Sequence, residues 1–144
     1  MKYTFYCSVA ALLLFMQQAE AAMTEKQVLA AIKLIRNTCK TKTKVADEQI
    51  DDTHNGKWDD NDEKLKCYSN CVLGMMKMQK KNGAPDEESA IKQLPQLPES
   101  MREPFEISIK KCINAGDGLT NKCDVAYSFF KCLYFDNPQN YFLP

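Results

Sequence analysis

The apolar residues of this chain recur at three- and four-residue intervals, and no segment alternates apolar and polar positions for long, so the pattern predicts helices and no sheet. Val28, Ala31, Ile32 and Ile35 form one stripe ending near Cys39, opened by a Thr24–Gln27 capping box. A short helix over 45–53 carries Ile50 and stops at Asn55-Gly56, with Trp58 following as a packing anchor. Asp60 with Glu63 then caps a helix whose stripe is Leu65, Tyr68, Val72, Met75 and Met76, running to about Lys81 before Asn82-Gly83. Residues 85–94 hold a brief fourth helix, and Pro95 and Pro98 mark a turn. Ser100 with Glu103 reads as another capping box. It places Pro104 in the first turn, where a missing N–H costs little, ahead of a stripe of Phe105, Ile109, Cys112 and Ile113. Thr120 or Asn121 opens a last helix with Cys123, Ala126, Tyr127, Phe130, Leu133 and Tyr134 at helical spacing, ended by Pro138. The expected class is all-α, with about six helices.

Four cysteines, two on each of two helices, sharpen that picture. Cys67 and Cys71 lie one turn apart on the same helix face, so they can bridge their helix to two different neighbours. Cys123 and Cys132 are nine residues apart and leave opposite faces of the last helix, which must then be stapled on both sides. After Pro138 the chain ends in Gln139-Asn140-Tyr141-Phe142-Leu143-Pro144, too apolar for an exposed tail; it either packs over the core or closes something.

The first residues read as a secretory signal. Lys2 supplies a positive start, residues 5–16 are mostly apolar but too short to span a bilayer, and Ala19-Glu20-Ala21 suits cleavage after Ala21. The expected division is a signal peptide over 1–21 and one helical domain over 22–144. Of seven cysteines, Cys7 falls in the signal, and the other six form an even set in a secreted chain, which means disulfides. Three cross-links, each stabilising by roughly 2–4 kcal/mol, are a large part of the stability of a domain this small. With 19 basic and 19 acidic side chains the chain is neutral, so neither a nucleic-acid surface nor a membrane-binding patch is indicated, and the Lys-rich run over 40–44 reads as a solvated loop.

The spacing C-x27-C-x3-C-x40-C-x10-C-x8-C resembles that of the insect odorant-binding proteins, the pheromone and general odorant-binding family. The resemblance extends to K-L-K-C-Y-S-N-C around the paired cysteines, L-P-E-S-M before the fifth helix, C-D-V-A-Y in the last helix and D-N-P-Q-N-Y-F-L-P at the end. It is closest to the subgroup whose C-terminal tail covers the ligand cavity. The resemblance implies the pairing Cys39–Cys71, Cys67–Cys123 and Cys112–Cys132, where helical geometry alone excludes only a few alternatives. It also implies a soluble extracellular carrier of small hydrophobic odorants or pheromones, found in sensillar lymph if chemosensory, that hands its ligand to an odorant receptor. Such a carrier is a monomer or weak homodimer, without cofactor or membrane insertion.

On that resemblance the expected wall residues are Val72, Met75 and Met76, then Phe105 and Ile109, then Tyr127, Phe130 and Leu133, with Phe142 and Leu143 as lid. Methionine suits a cavity that must accept several ligand shapes. Periodicity alone would make the same stripes plain core. In relatives of this subgroup, residues matching Arg36 and Tyr68 hydrogen-bond the terminal carboxylate region, here Pro144, and acidification could free the tail; some relatives carry histidine where this chain has Arg36.

Other classes fit less well. A phospholipase A2-like enzyme needs a histidine beside an aspartate on a helix and a calcium loop, whereas the single histidine, His54, sits at a helix end before Asn55-Gly56. Zinc binding by Cys67 and Cys71 competes poorly with oxidation in a secreted chain. A disulfide-rich signalling or defence protein with a filled core shares every fold signal and differs only in binding no apolar ligand.

Overall fold

A computed structural model of the protein describes residues 22–144; the expected signal peptide lies outside these residues. Six helices make up the described chain: α1 (Glu25–Thr43), α2 (Asp47–His54), α3 (Glu63–Met75), α4 (Glu87–Gln93), α5 (Glu99–Cys112) and α6 (Lys122–Asp136). Short 3-10 turns follow at Leu94–Gln96 and Pro138–Asn140. The only pairing of extended backbone among the described residues is an isolated bridge between Gln79 and Pro85. No described helix is long and apolar enough to cross a membrane.

The centre of the fold is the pair α3 and α6. Leu65, Tyr68, Val72 and Leu73 on α3 meet Ala126, Tyr127, Phe129, Phe130 and Leu133 on α6, all buried in one continuous core. Three disulfides tie the other helices to this pair. Cys67–Cys123 joins α3 to α6, Cys39–Cys71 joins α1 to α3, and Cys112–Cys132 joins α5 to α6, so the expected pairing and the stapling of α6 on two sides are both present. The α5–α6 turn depends on Gly116, where a Cβ would come within 2.9 Å of the Val125 backbone.

Capping chemistry sets several boundaries, and four of them differ from the sequence expectation. Thr24 and Gln27 do form the capping box of α1, but the helix continues to Thr43, so the lysine run is its last turns rather than a loop. Lys40 there donates to Asp47 at 2.7 Å. The N-cap of α3 is Asp62, not Asp60: its Oδ1 accepts the Lys64 and Leu65 N–H groups at 2.9 and 3.0 Å, while Asp60 pairs with Lys131 of α6.

At its other end α3 stops at Met75, short of Lys81. Lys77 N–H bonds to the Gly74 carbonyl and Met78 N–H to the Leu73 carbonyl, both at 3.1 Å. This double closure is a Schellman motif with Lys77 in the left-handed region at φ 54°, fastened by the buried pair Leu73 and Met78. Met78 therefore lies beyond the stop, as the apolar contact that fastens it. In α5 the first residue is Glu99 and the cap position is Pro98, without a side-chain bond, so Pro104 lies inside the helix rather than in its first turn.

The tail packs. Leu143 and Pro144 are buried and Tyr141 and Phe142 half-buried, with the Phe142 ring 4.9 Å from that of Phe105. Tyr141 is held by edge contacts to Trp58, Tyr134 and His54.

Candidate functional site

A cavity of about 470 Å³ lies to one side of the central pair, at the end of α3. One wall is the α1 stripe Val28, Ala31, Ile32 and Ile35; another is the end of α3 and its Schellman turn, Met75, Met76, Lys77 and Met78. The far side comes from α4 and the 3-10 turn, with Ser89, Ala90, Lys92, Gln93, Leu94 and Gln96, followed by Leu97. Phe105 of α5, Phe142 of the tail and Met23 complete it. The lining is thus aliphatic, thioether and aromatic, with polar side chains from α4, the 3-10 turn and the α3 turn only. Exposed lining residues, including Ala31, Lys77, Lys92 and Gln96, mark where the cavity reaches solvent.

Four of the expected wall and lid residues, Met75, Met76, Phe105 and Phe142, border this cavity. The others lie elsewhere. Val72 and Phe130 face a crevice of about 10 Å³, the size of a single water molecule. Leu133 borders a similarly small gap beside Pro104, Phe105 and Tyr141. Ile109, Tyr127 and Leu143 are buried in the central core and border none of these spaces. The physical reason is that α3 and α6 pack tightly on each other, so the stripes that define their interface have no room to face a void.

The residues expected to hold the tail divide in the same way. Tyr68 and Pro144 border the same small crevice, together with Trp58 and Tyr141. Tyr68 Oη and Trp58 Nε1 are buried there without a hydrogen-bond partner among the described residues. Burial pushes the Tyr68 phenol well above its usual range, against the pull of nearby Arg36. Arg36 itself faces α2: its guanidinium donates to Asp51 at 2.7 Å and to Asp47 at 3.2 Å. Burial opposes its charge, but the two carboxylate bonds outweigh that and raise its pKa. Lys40 and then Arg36 hold the Asp47 carboxyl below its ordinary range. Arg36 is therefore a clip between α1 and α2.

A second cavity, of about 330 Å³, lies on the other side of a partition shared with the first. Val28 and Phe142 line both. Its remaining border is more polar, with Glu25, Ser100, Gln139 and Asn140 beside Leu29, Met101 and Tyr141. Sequence reasoning placed Phe142 at a lid but did not single out Val28, Ala31, Ile32 and Ile35 as cavity wall. Their stripe was visible, yet a stripe facing a void and a stripe facing a core have the same period. No cluster of three or more metal-ligating side chains occurs among the described residues.

Comparison with known proteins agrees with this architecture. Residues 21–135 match the model of the PBP/GOBP family. The chain is 38% identical over 120 residues to general odorant-binding protein 19a of Drosophila melanogaster, covering 81% of each protein. It is 30% identical over 119 residues to general odorant-binding protein 72 of Anopheles gambiae, covering 82% of this chain and 97% of that one. The crystal structure of odorant binding protein 4 from the predator Chrysopa pallens superposes with a TM-score of 0.79 at 46% identity, covering 85% of this chain and 99% of that chain. With the six-cysteine spacing, the three disulfides and the all-helical architecture in place, the chain belongs to the PBP/GOBP family of odorant-binding proteins, which are carriers and not enzymes.

Proposed function

We propose that this protein is a secreted carrier that takes up small hydrophobic odorants or pheromones in the cavity between α1, α4 and α5 and delivers them to chemosensory receptors. The observation that carries the reading is an apolar space of about 470 Å³ inside a cross-linked helical frame. Protein interiors are otherwise close-packed, and a void of this size falls in the range of roughly 300–1,000 Å³ typical of small-molecule sites. It supports the carrier over a signalling or defence protein with a filled core.

The energetics fit a reversible carrier. A ligand that removes about 300 Å² of apolar surface from water gains about 7 kcal/mol at about 25 cal/mol per Å². Immobilisation subtracts from that gross figure, which is itself somewhat short of the roughly 8 kcal/mol of a micromolar complex, so close packing against the wall and polar contacts must add to it for micromolar binding. Met75, Met76, Phe105 and Phe142 are the contacts we assign to ligand, joined by the α1 stripe. Secretion follows the signal-like segment at 1–21 and the three disulfides. In solution the carrier is a monomer or weak homodimer.

Titration of the oxidised protein with an apolar fluorescent probe at neutral pH, repeated near pH 5, tests the proposal. Saturable micromolar binding, reversed by apolar competitors, is expected. Absence of saturable binding by a protein with intact disulfides and native helicity would refute it.

A further inference from the structure

We propose that Lys77 and Lys92 make the mouth of the main cavity a receptor for anionic head groups, so that the ligands it holds best are medium- and long-chain carboxylates. The inference deepens the carrier reading and rests on it. Among the cavity's lining residues these two are the only charged ones, and both are exposed where the cavity meets solvent. Neither has a carboxylate within 4.0 Å among the described residues, whereas Arg36 and six other lysines are held in nine ion pairs elsewhere in the domain. Asp86, Glu87 and Glu88, which open α4, do not line the cavity, and the Asp86 carboxylate is engaged by the Ser89 hydroxyl at 2.7 Å.

Two elements bring the lysines to one rim. Lys77 stands at the left-handed position of the Schellman turn, where its backbone is fixed by bonds to both sides. Gln93, the neighbour of Lys92, donates from Nε2 to the Lys77 carbonyl at 3.4 Å and to the Ser89 carbonyl at 3.0 Å, which seats the turn against α4. Lys44 adopts the same left-handed backbone at the end of α1 without bordering the cavity, so the conformation alone assigns nothing. The assignment rests on position: an apolar chain lying along Ile32, Ile35, Met76 and Phe105 would leave its head group at the solvent end, between two ammonium groups with no protein counterion. An ionised carboxylate supplies the missing charge.

The test is displacement of the apolar probe from the oxidised protein at pH 7.5 and low ionic strength by dodecanoate, dodecanol and dodecylammonium, whose chains are identical. Each exposed ion pair is worth up to about fivefold in affinity, so dodecanoate should bind on the order of tenfold more tightly than dodecanol, and dodecylammonium more weakly than either. Raising the salt should erode the difference. In the double variant Lys77→Met, Lys92→Met acid and alcohol should compete equally with each other, whatever that variant's own affinity for the probe, and Lys77→Glu, Lys92→Glu should turn the preference toward dodecylammonium. If the probe binds and dodecanol competes as well as dodecanoate, or the variants leave the acid preference unchanged, this inference is overturned and the carrier stands. If no probe binds, both fall.

Discussion

Phe142 and Phe129 are both large aromatic side chains, one on the tail and one in α6, and their replacement by alanine should have opposite consequences. Phe129 is 1% exposed in the central core, so Phe129→Ala leaves a hole that its packed neighbours cannot close; the expected cost is about 3–5 kcal/mol of stability. Phe142 is half-buried and already has a cavity on each side, of about 470 and 330 Å³, with only Phe105 as a close aromatic neighbour. Its removal joins two existing spaces instead of making one, and should cost about 1–2 kcal/mol, well below the core value. Binding should respond in the reverse order. A buried phenylalanine contributes about 200 Å² of surface, of which about a quarter would meet a ligand, so losing it forfeits about 1.2 kcal/mol, or about eightfold in affinity. Urea unfolding of both variants, with probe titration of each under conditions where it is folded, measures the four quantities. A Phe142→Ala protein that binds the probe as the parent does would refute the role of the tail as cavity wall.

Arg36→Ala should lower stability at neutral pH by unclipping α1 from α2. Because Lys40 and Arg36 depress the Asp47 pKa below its ordinary value of 3.8, this contribution is present above that value and lost as pH falls through the folded one. Thermal melts of parent and variant should therefore converge below about pH 4. Burial first, and then Arg36, lower the His54 pKa below 6.5 against the opposing charge of Asp51, so neutral His54 is the form that suits the fold. Its stabilising share is full above pH 6.5 and declines as pH falls through the folded value, and because its ring lies 5.3 Å from that of Tyr141, the tail should loosen with it. His54→Phe should reduce the loss of melting temperature between pH 7.5 and 5.5; parallel losses would show that His54 is not responsible. Asp62→Ala removes an acceptor shared by two N–H groups at the start of α3 and should cost about 1–2 kcal/mol in urea unfolding. Replacing Cys39 and Cys71 by serine opens a link of sequence separation 32, with an expected loss of about 3–4 kcal/mol, and should weaken probe binding even where the protein remains folded.

Much of the fold was legible because helix period, capping residues and cysteine spacing all point the same way. The helices fall where their stripes place them, and α6 is stapled on two sides as its cysteines require. The end of α3 was not legible: Met78 extends the apolar pattern, while the residue that stops the helix is a lysine in a conformation usually given to glycine. Asp60 and Asp62 both precede α3, and only the bend of the backbone selects Asp62. Phe129 escaped the stripe assigned to α6, because a helix buried on most sides has no single apolar face. The same limit explains the wall. Periodicity identifies Ile109, Tyr127 and Leu133 as buried, and it identifies Ile32 and Ile35 as one face of α1, but which face meets atoms and which meets space is decided by how far apart the helices stand.

That distance is set by how α1 is attached. Of its nineteen residues only Val28 and Cys39 are buried, so apolar packing alone would not hold this helix at a fixed position against the rest. It is fastened near its ends instead: Met23 N–H bonds to the Gln96 carbonyl at 2.8 Å ahead of the helix, and Cys39 is bonded to Cys71 of α3 toward its C-terminus. Arg36 and Lys40 add the link to α2. Between these fastenings the stripe Val28, Ala31, Ile32 and Ile35 spans the cavity as a wall that need not close on anything. A helix held by packing would have moved inward until the space was filled, since each unfilled contact costs dispersion energy. Covalent and polar attachment near the ends removes that pull. Stability is thereby concentrated in the α3–α6 core, and the space beside the end of α3 is left open.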